Sequence, residues 1–274
     1  MYKLLGPLTP EEEKLPYAKY YYREPAQPDP YRMEILSRGP MDPAKATPLN
    51  DFNSLLTNLE CPEDEMGYCI LPNGAGYVGL SAFYPDCTLD MFKWWFAWHP
   101  LNNLRYRIWC PRCHGGLSVS AKDRAKILDP NVPLEQKYTD VDHFVMEDIG
   151  GGMSDIVISF LSPEKIGFDP ELVKQYGGAI MGGYGIVEPR EGPVGKLPAI
   201  MLHLFHEENG GVRQRTRFYM GCRINKGIPM CVLPHGVTVP IEAPMGLAYH
   251  NVEEFSNLGS FLPQIYAELG GTYE

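Results

Sequence analysis

The order of its periodic segments constrains this chain most: a series of short β-branched runs is followed by one long helical pattern near the C-terminal end. The runs occupy residues 155–161, 179–187, 197–206 and 212–224, and the Gly, Pro, Asn and Glu clusters between them have hairpin or loop character. The helical pattern covers residues 244–269 and stops at Gly270-Gly271, with Gly259 and Pro263 inside it as points of bending or division. Such strands have an apolar face to cover, and one long helix is at hand to cover it. The expected class is therefore α+β, a curved antiparallel sheet gripping the C-terminal helix. The 28 glycines and 26 prolines among 274 residues supply the punctuation and exclude a coiled coil or a long-helix protein.

Two shorter helices carry their own start and stop signals. Residues 88–98 begin at Thr88 as N-cap, place Asp90 in the first turn and halt before Pro100. Residues 169–176 begin at Asp169, put Pro170 at the first helical position and end at Gly177. Between these, Leu104-Arg-Tyr-Arg-Ile-Trp109 alternates apolar and basic residues, which predicts a half-buried strand. Residues 1–78 are rich in Pro, Tyr and acidic side chains with little periodicity. They are expected to form a small N-terminal domain or arm that packs on the main body or on a second subunit, leaving 79–274 as the main domain.

Charge narrows the partners. With 24 Lys+Arg against 34 Asp+Glu the net charge is -10, which argues against nucleic acid, since phosphate neutralisation needs a surplus of cations. The N-terminal residues turn proline-rich and acidic too early for a secretory signal, and no run approaches the length of a spanning helix. A soluble, cytoplasmic protein is expected. The seven cysteines form an odd set and fit free thiols better than a disulfide framework.

Among the polar residues, His250-Asn-Val-Glu-Glu254 is the most informative. On a helix, His250 and Glu254 share a face and both reach one metal ion, although an ordinary surface pair fits the same pattern. Two further ligands are needed. His114 and Glu147 are candidates, with Asp142 and Asp148 as open alternatives to Glu147, and two imidazoles with two carboxylates suit Zn²⁺. Cys110-Pro-Arg-Cys113-His114 also matches the pattern for covalent haem attachment, a chemistry at odds with a chain lacking an export signal, so incidental cysteines beside a loop are expected. Strand alternation sends His203 and His206 to opposite faces, so that only one faces a central cavity, and puts Tyr219 on a face with Arg215 and Arg217. The glycine clusters at 150–152 and 182–185 lack the spacing of phosphate-binding loops.

The combination of Phe92-Lys-Trp-Trp-Phe-Ala-Trp-His99, Arg105-Tyr-Arg-Ile-Trp-Cys-Pro-Arg-Cys-His114, Val145-Met-Glu-Asp-Ile-Gly150 and His250-Asn-Val-Glu-Glu254 resembles the phloretin hydrolase and 2,4-diacetylphloroglucinol hydrolase family, over most of the region from about residue 80 to 260. The resemblance implies a zinc-dependent hydrolase of carbon–carbon bonds with a helix-grip domain like that of the birch pollen allergen, and a homodimer formed through a smaller N-terminal part. It further implies that His114, Glu147, His250 and Glu254 hold Zn²⁺, and that Tyr106, His203 and Tyr219 act near the substrate's phenolic groups. The substrate it implies is a small acylphloroglucinol. Phloretin would be split by water into phloroglucinol and 3-(4-hydroxyphenyl)propionate; release of acetate from 2,4-diacetylphloroglucinol, or a non-enzymatic carrier of hydrophobic ligands, are the alternatives.

Overall fold

The computed structural model describes residues 4–191 and 195–273. Eight strands form one antiparallel sheet: β1 Gly67–Ile70, β2 Gly76–Tyr84, β3 His114–Val119, β4 Val141–Asp148, β5 Met153–Phe160, β6 Ala179–Pro189, β7 Leu197–Glu208 and β8 Gly211–Met220. Their spatial order is β1-β2-β8-β7-β6-β5-β4-β3, and every neighbouring pair is antiparallel. From β3 to β8 the chain runs as a meander, and β8 then pairs with β2 to attach the first two strands. The expected 212–224 run is divided at Gly221, after which β9 Cys222–Asn225 and β10 Ile228–Cys231 make a separate hairpin.

The C-terminal helix, Glu242–Leu269, lies along the sheet and completes the α+β helix-grip architecture. It runs unbroken through Gly259 and Pro263. Gly259 has a packing reason to be there: a Cβ at this position would come 2.5 Å from Cδ1 of Tyr84, whose ring is buried and whose hydroxyl donates to Oε1 of Gln214. The helix buries Phe255, Leu258, Phe261, Leu262 and Ile265 in the same core as Trp94, Trp95 and Trp98 of the helix Leu89–Trp98. That second helix is capped at Thr88, as expected, and the helix Pro170–Tyr176 is capped at Asp169 and ends at Gly177 in the left-handed region.

Residues 104–109 depart from expectation. Asn103–Arg107 is a short helix, N-capped by the side chain of Asn102, and Arg105 and Arg107 are buried, not exposed. The alternation reflects aromatic cover instead of a solvent face. The Arg105 guanidinium lies 4.2 Å from the ring centroid of Trp98 and donates to the Trp98 carbonyl and the Tyr17 hydroxyl, while Arg107 stacks on Tyr21 and donates to its hydroxyl. Guanidinium planes satisfied in this way tolerate burial that a lone cation would not.

These contacts also show where the N-terminal part goes. Tyr17, Tyr20 and Tyr21 are buried in the core shared with the C-terminal helix, and β1, inside residues 1–78, is the edge strand of the main sheet. No helix among the described residues is long and apolar enough to cross a membrane. Gly259→Ala should lower the free energy of unfolding in urea by up to about 2 kcal/mol, because the cost of overpacking against Tyr84, about 1–3 kcal/mol, outweighs the roughly 1 kcal/mol that alanine gains in a helix. A stabilised variant would contradict this packing.

Candidate active site

Three elements converge inside the grip. On β4 the inward positions are Val141, His143, Val145 and Glu147. His114 opens β3 directly opposite Glu147 in the strand register. His250 and Glu254 lie one turn apart on the buried face of the C-terminal helix. The register decides among the acidic candidates on β4: Asp142 points outward, and Asp148 accepts the backbone N–H groups of Gly150 and Gly152, organising the turn that follows. Gly150, at a φ of +98°, touches Gly246 of the helix, where a Cβ would come 2.5 Å from the Gly246 Cα. Two glycines thus let the turn after Glu147 close on the helix that carries His250.

Four side chains meet at the convergence. Nε2 of His114 is 3.3 Å from Oε2 of Glu147 and 3.5 Å from Oε2 of Glu254, and Nε2 of His250 is 3.8 Å from each of the same two oxygens. Despite this proximity, His114 Nε2 is buried with no hydrogen-bond partner. Its other nitrogen is committed, since Nδ1 lies 3.0 Å from the Tyr106 carbonyl and donates its proton there, leaving the Nε2 lone pair aimed at the cluster. Donors about 2.0–2.2 Å from a tetrahedral centre stand about 3.3–3.6 Å from one another, close to the separations observed. These residues could hold a metal ion, and His114, His250 and Glu254 offer ligand atoms that all lie within 4.8 Å of one another.

The electrostatics point the same way. Burial pushes the Glu254 carboxyl up to about 8; neighbouring Glu147 adds to the shift, while His250 and a hydrogen bond from the Asn251 amide oppose it. Burial lowers the pKa of His114, which keeps it neutral and able to offer a lone pair. A cation at the centre would favour the ionised form of Glu254 that burial otherwise disfavours. Tyr106 supports the cluster twice: its ring stacks on His114 with centroids 3.9 Å apart, and its hydroxyl donates to Oε2 of Glu147 at 2.5 Å. Burial, and then the charge of Glu147, raise its pKa well above the ordinary phenol value, so it remains a donor.

Beside the cluster lies a small cavity of about 60 Å³ whose walls are mainly apolar, including Phe96, Trp109, Ile158, Phe160 and Phe218. Tyr106, Glu147, His250 and Glu254 line one part of it. Of the histidines on β7, His203 lines the cavity, with Nδ1 bonded to the Thr216 hydroxyl at 2.9 Å, whereas His206 is on the opposite face beside Tyr176. Tyr219 is not brought to this cavity: it packs with Phe52 and Tyr77 on the other face of the sheet and donates its hydroxyl to the Thr47 carbonyl.

Two cavity residues escaped the sequence reading, His99 at the end of the helix Leu89–Trp98 and His143 on β4. The alternation of Val141, His143, Val145 and Glu147 carried the signal for His143, because it puts that ring on the face of a candidate ligand. The cysteines also need correction. Cys110 and Cys113 are joined as a disulfide across a tight turn in which the Cys113 N–H donates to the Cys110 carbonyl, with the Cα atoms 5.3 Å apart, while Cys61, Cys69, Cys87, Cys222 and Cys231 are free.

Burial depresses the pKa of both His143 and His203 to about 3. Each is neutral in the folded state and gains its proton near 6.5 when unfolded, so the stability associated with it is complete above pH 6.5 and declines as pH falls toward 3. Between pH 7.5 and 5, each should remove about 2 kcal/mol from the unfolding free energy. Urea unfolding of wild type and His203→Phe across that range should diverge by this amount, and parallel curves would refute the neutral assignment of His203.

A family model for the DAPG hydrolase PhiG domain matches residues 47–267. The chain is 34% identical over 267 residues to the phloretin hydrolase of Eubacterium ramulus, with 96% of this chain and 93% of that protein covered. It is 30% identical over 272 residues to a 2,4-diacetylphloroglucinol hydrolase from a Pseudomonas species, covering 93% of this chain and 88% of that protein. Among solved structures, Ara h 8.0201 aligns with a TM-score of 0.40 at 9% identity, over 69% of this chain and 98% of that one.

Proposed function

Because the chain belongs to the DAPG hydrolase family and is a hydrolase of carbon–carbon bonds, we propose that it cleaves the bond between a phloroglucinol ring and an acyl carbon, with phloretin as substrate and Zn²⁺ as cofactor. The observation that carries this reading is the meeting of His114, Glu147, His250 and Glu254 at the wall of an apolar cavity. The nitrogen and oxygen donor set, free of thiolate, suits zinc. His114, Glu147, His250 and Glu254 would hold the zinc ion, which would supply a Lewis-acid charge able to polarise a carbonyl and lower the pKa of water.

The chain's own residues account for the rest. In the overall reaction the acyl–ring bond breaks, the hydroxyl of water joins the acyl carbon, and the ring carbon takes up a proton. The products are phloroglucinol and 3-(4-hydroxyphenyl)propionate. Tyr106 anchors Glu147 and presents its hydroxyl at the cavity wall, where it orients a polar substrate group. His203, its Nδ1 bonded to Thr216, presents a neutral imidazole to the same space. The aromatic walls exclude bulk water and offer faces on which a dihydrocinnamoyl tail can pack. The identity to the phloretin hydrolase supports the longer acyl chain over the acetyl group. A homodimer in the cytoplasm completes the reading, supported by the family resemblance.

Incubation of the purified protein with phloretin and with 2,4-diacetylphloroglucinol, followed by chromatography of phloroglucinol and monoacetylphloroglucinol, should show release from phloretin. No release from either would sink the proposal. His250→Ala should lose both bound zinc, by elemental analysis, and activity by more than the 10–100-fold typical of partners outside the ligand set. Full zinc occupancy in that variant would remove His250 from the ligands.

A further inference from the structure

We propose that His99 and His143 form a recognition site for two meta-related hydroxyl groups of a polyphenol ring. The inference rests on the acylphloroglucinol reading, for which it names the residues that select the ring. Both side chains are almost completely buried, at 1% and 2% exposure, and both line the cavity that holds Tyr106, Glu147, His250 and Glu254.

Each ring offers hydrogen-bonding capacity that the protein leaves unused. Nδ1 of His99 lies 2.8 Å from the Trp95 carbonyl, one helical turn back, and donates its proton there, so Nε2 carries the free lone pair. Nε2 of His143 is buried with no hydrogen-bond partner. Nearby walls are formed by Phe96, Val145 and Phe160, which bring no polar side chain to satisfy it. Buried ring nitrogens ordinarily find partners, so an unpaired one at a cavity wall points to a ligand as the missing partner. Burial keeps both imidazoles neutral at physiological pH, which allows each to accept a hydrogen bond from a phenol.

The two rings are neighbours, meeting edge to face with centroids 5.4 Å apart, so separate hydroxyls of one benzene ring come within reach of both imidazoles. Placement relative to the candidate metal cluster is also suitable. His143 and Glu147 share the inward face of β4 four residues apart, about 13 Å along the strand. From the other side, the rings of His99, Tyr106 and His114 follow one another at centroid distances of 6.1 and 3.9 Å. A ring whose hydroxyls engage His99 and His143 therefore has room to direct its acyl substituent toward the four-residue cluster.

Isothermal titration of the purified protein with phloroglucinol, resorcinol, catechol and phenol tests this without relying on turnover. Phloroglucinol and resorcinol should bind at least about tenfold more tightly than catechol and phenol, the scale of one lost hydrogen bond. His99→Phe and His143→Phe should erase that preference, and His143→Gln, which keeps an acceptor, should retain part of it, with thermal melting checking each fold. Equal affinity of the wild type for resorcinol and catechol, absence of phloroglucinol binding, or an undiminished meta preference in folded His143→Phe would overturn the assignment. Should the phenylalanine variants not fold, the wild-type ligand series and His143→Gln still decide it. Meta-selective binding without hydrolysis of phloretin would sink the reaction and leave this site standing, whereas hydrolysis without meta selectivity would do the reverse.

Discussion

Two carboxylates, Glu147 and Glu254, sit beside each other in an interior built from tryptophan, phenylalanine and aliphatic side chains. Burial disfavours the ionised form of Glu254, and the neighbouring Glu147 adds to this, which is why the Glu254 pKa is pushed up to about 8. Much of the surrounding structure answers this constraint. The Tyr106 hydroxyl donates to one carboxylate, the Asn251 amide donates to the other, and two imidazole nitrogens face the oxygens that remain. On the proposed reading, a positive charge at the centre would satisfy this arrangement, and the folding of this core would then be coupled to the occupancy of the site.

Holding the cluster together requires the C-terminal helix to stay in register with the turn before His114. Asn257 does this by donating its amide to the carbonyls of Ile108 and Trp109, and the Trp109 indole returns a hydrogen bond to the Glu254 carbonyl. Both contacts lie within one turn of Glu254. The Arg105 and Arg107 side chains then clamp the other side of the same short helix to the N-terminal tyrosines. The N-terminal part therefore belongs to the support of the site and is more than a peripheral appendage: its aromatic rings cover the guanidinium groups that fix Tyr106 between them.

The site was legible in the sequence to the extent that its geometry is local. His250 and Glu254 share a helical face by periodicity alone, and the antiparallel sheet with its gripped helix followed from the order of the runs. His114 and Glu147 meet through pairing of β3 with β4, a register that no local pattern specifies, and there the family resemblance stood in for geometry. Residues 104–109 misled because alternation of arginine with apolar residues looks like a half-exposed strand; cover by distant tyrosines and a tryptophan is a tertiary effect. Tyr219 and His203 separate by parity on adjacent strands, since in the β7 and β8 register His203 faces Thr216, and Tyr219, three residues further along, falls on the opposite face.

The overall charge of the chain acquires a role on the proposed reaction. An acylphloroglucinol arrives as a neutral or weakly acidic phenol, while one of its products is a carboxylic acid that is ionised at neutral pH. That anion forms next to Glu147 and Glu254 in a protein of net charge -10. Like charges in a low-dielectric cavity repel more strongly than in water, so the field that tolerates the substrate disfavours retention of the product. A cation at the cluster offsets this locally, and what remains is the acidic exterior, whose influence falls off with salt over about 10 Å at 0.1 M. On that reaction, the net charge of -10 would thus bias the cycle toward release.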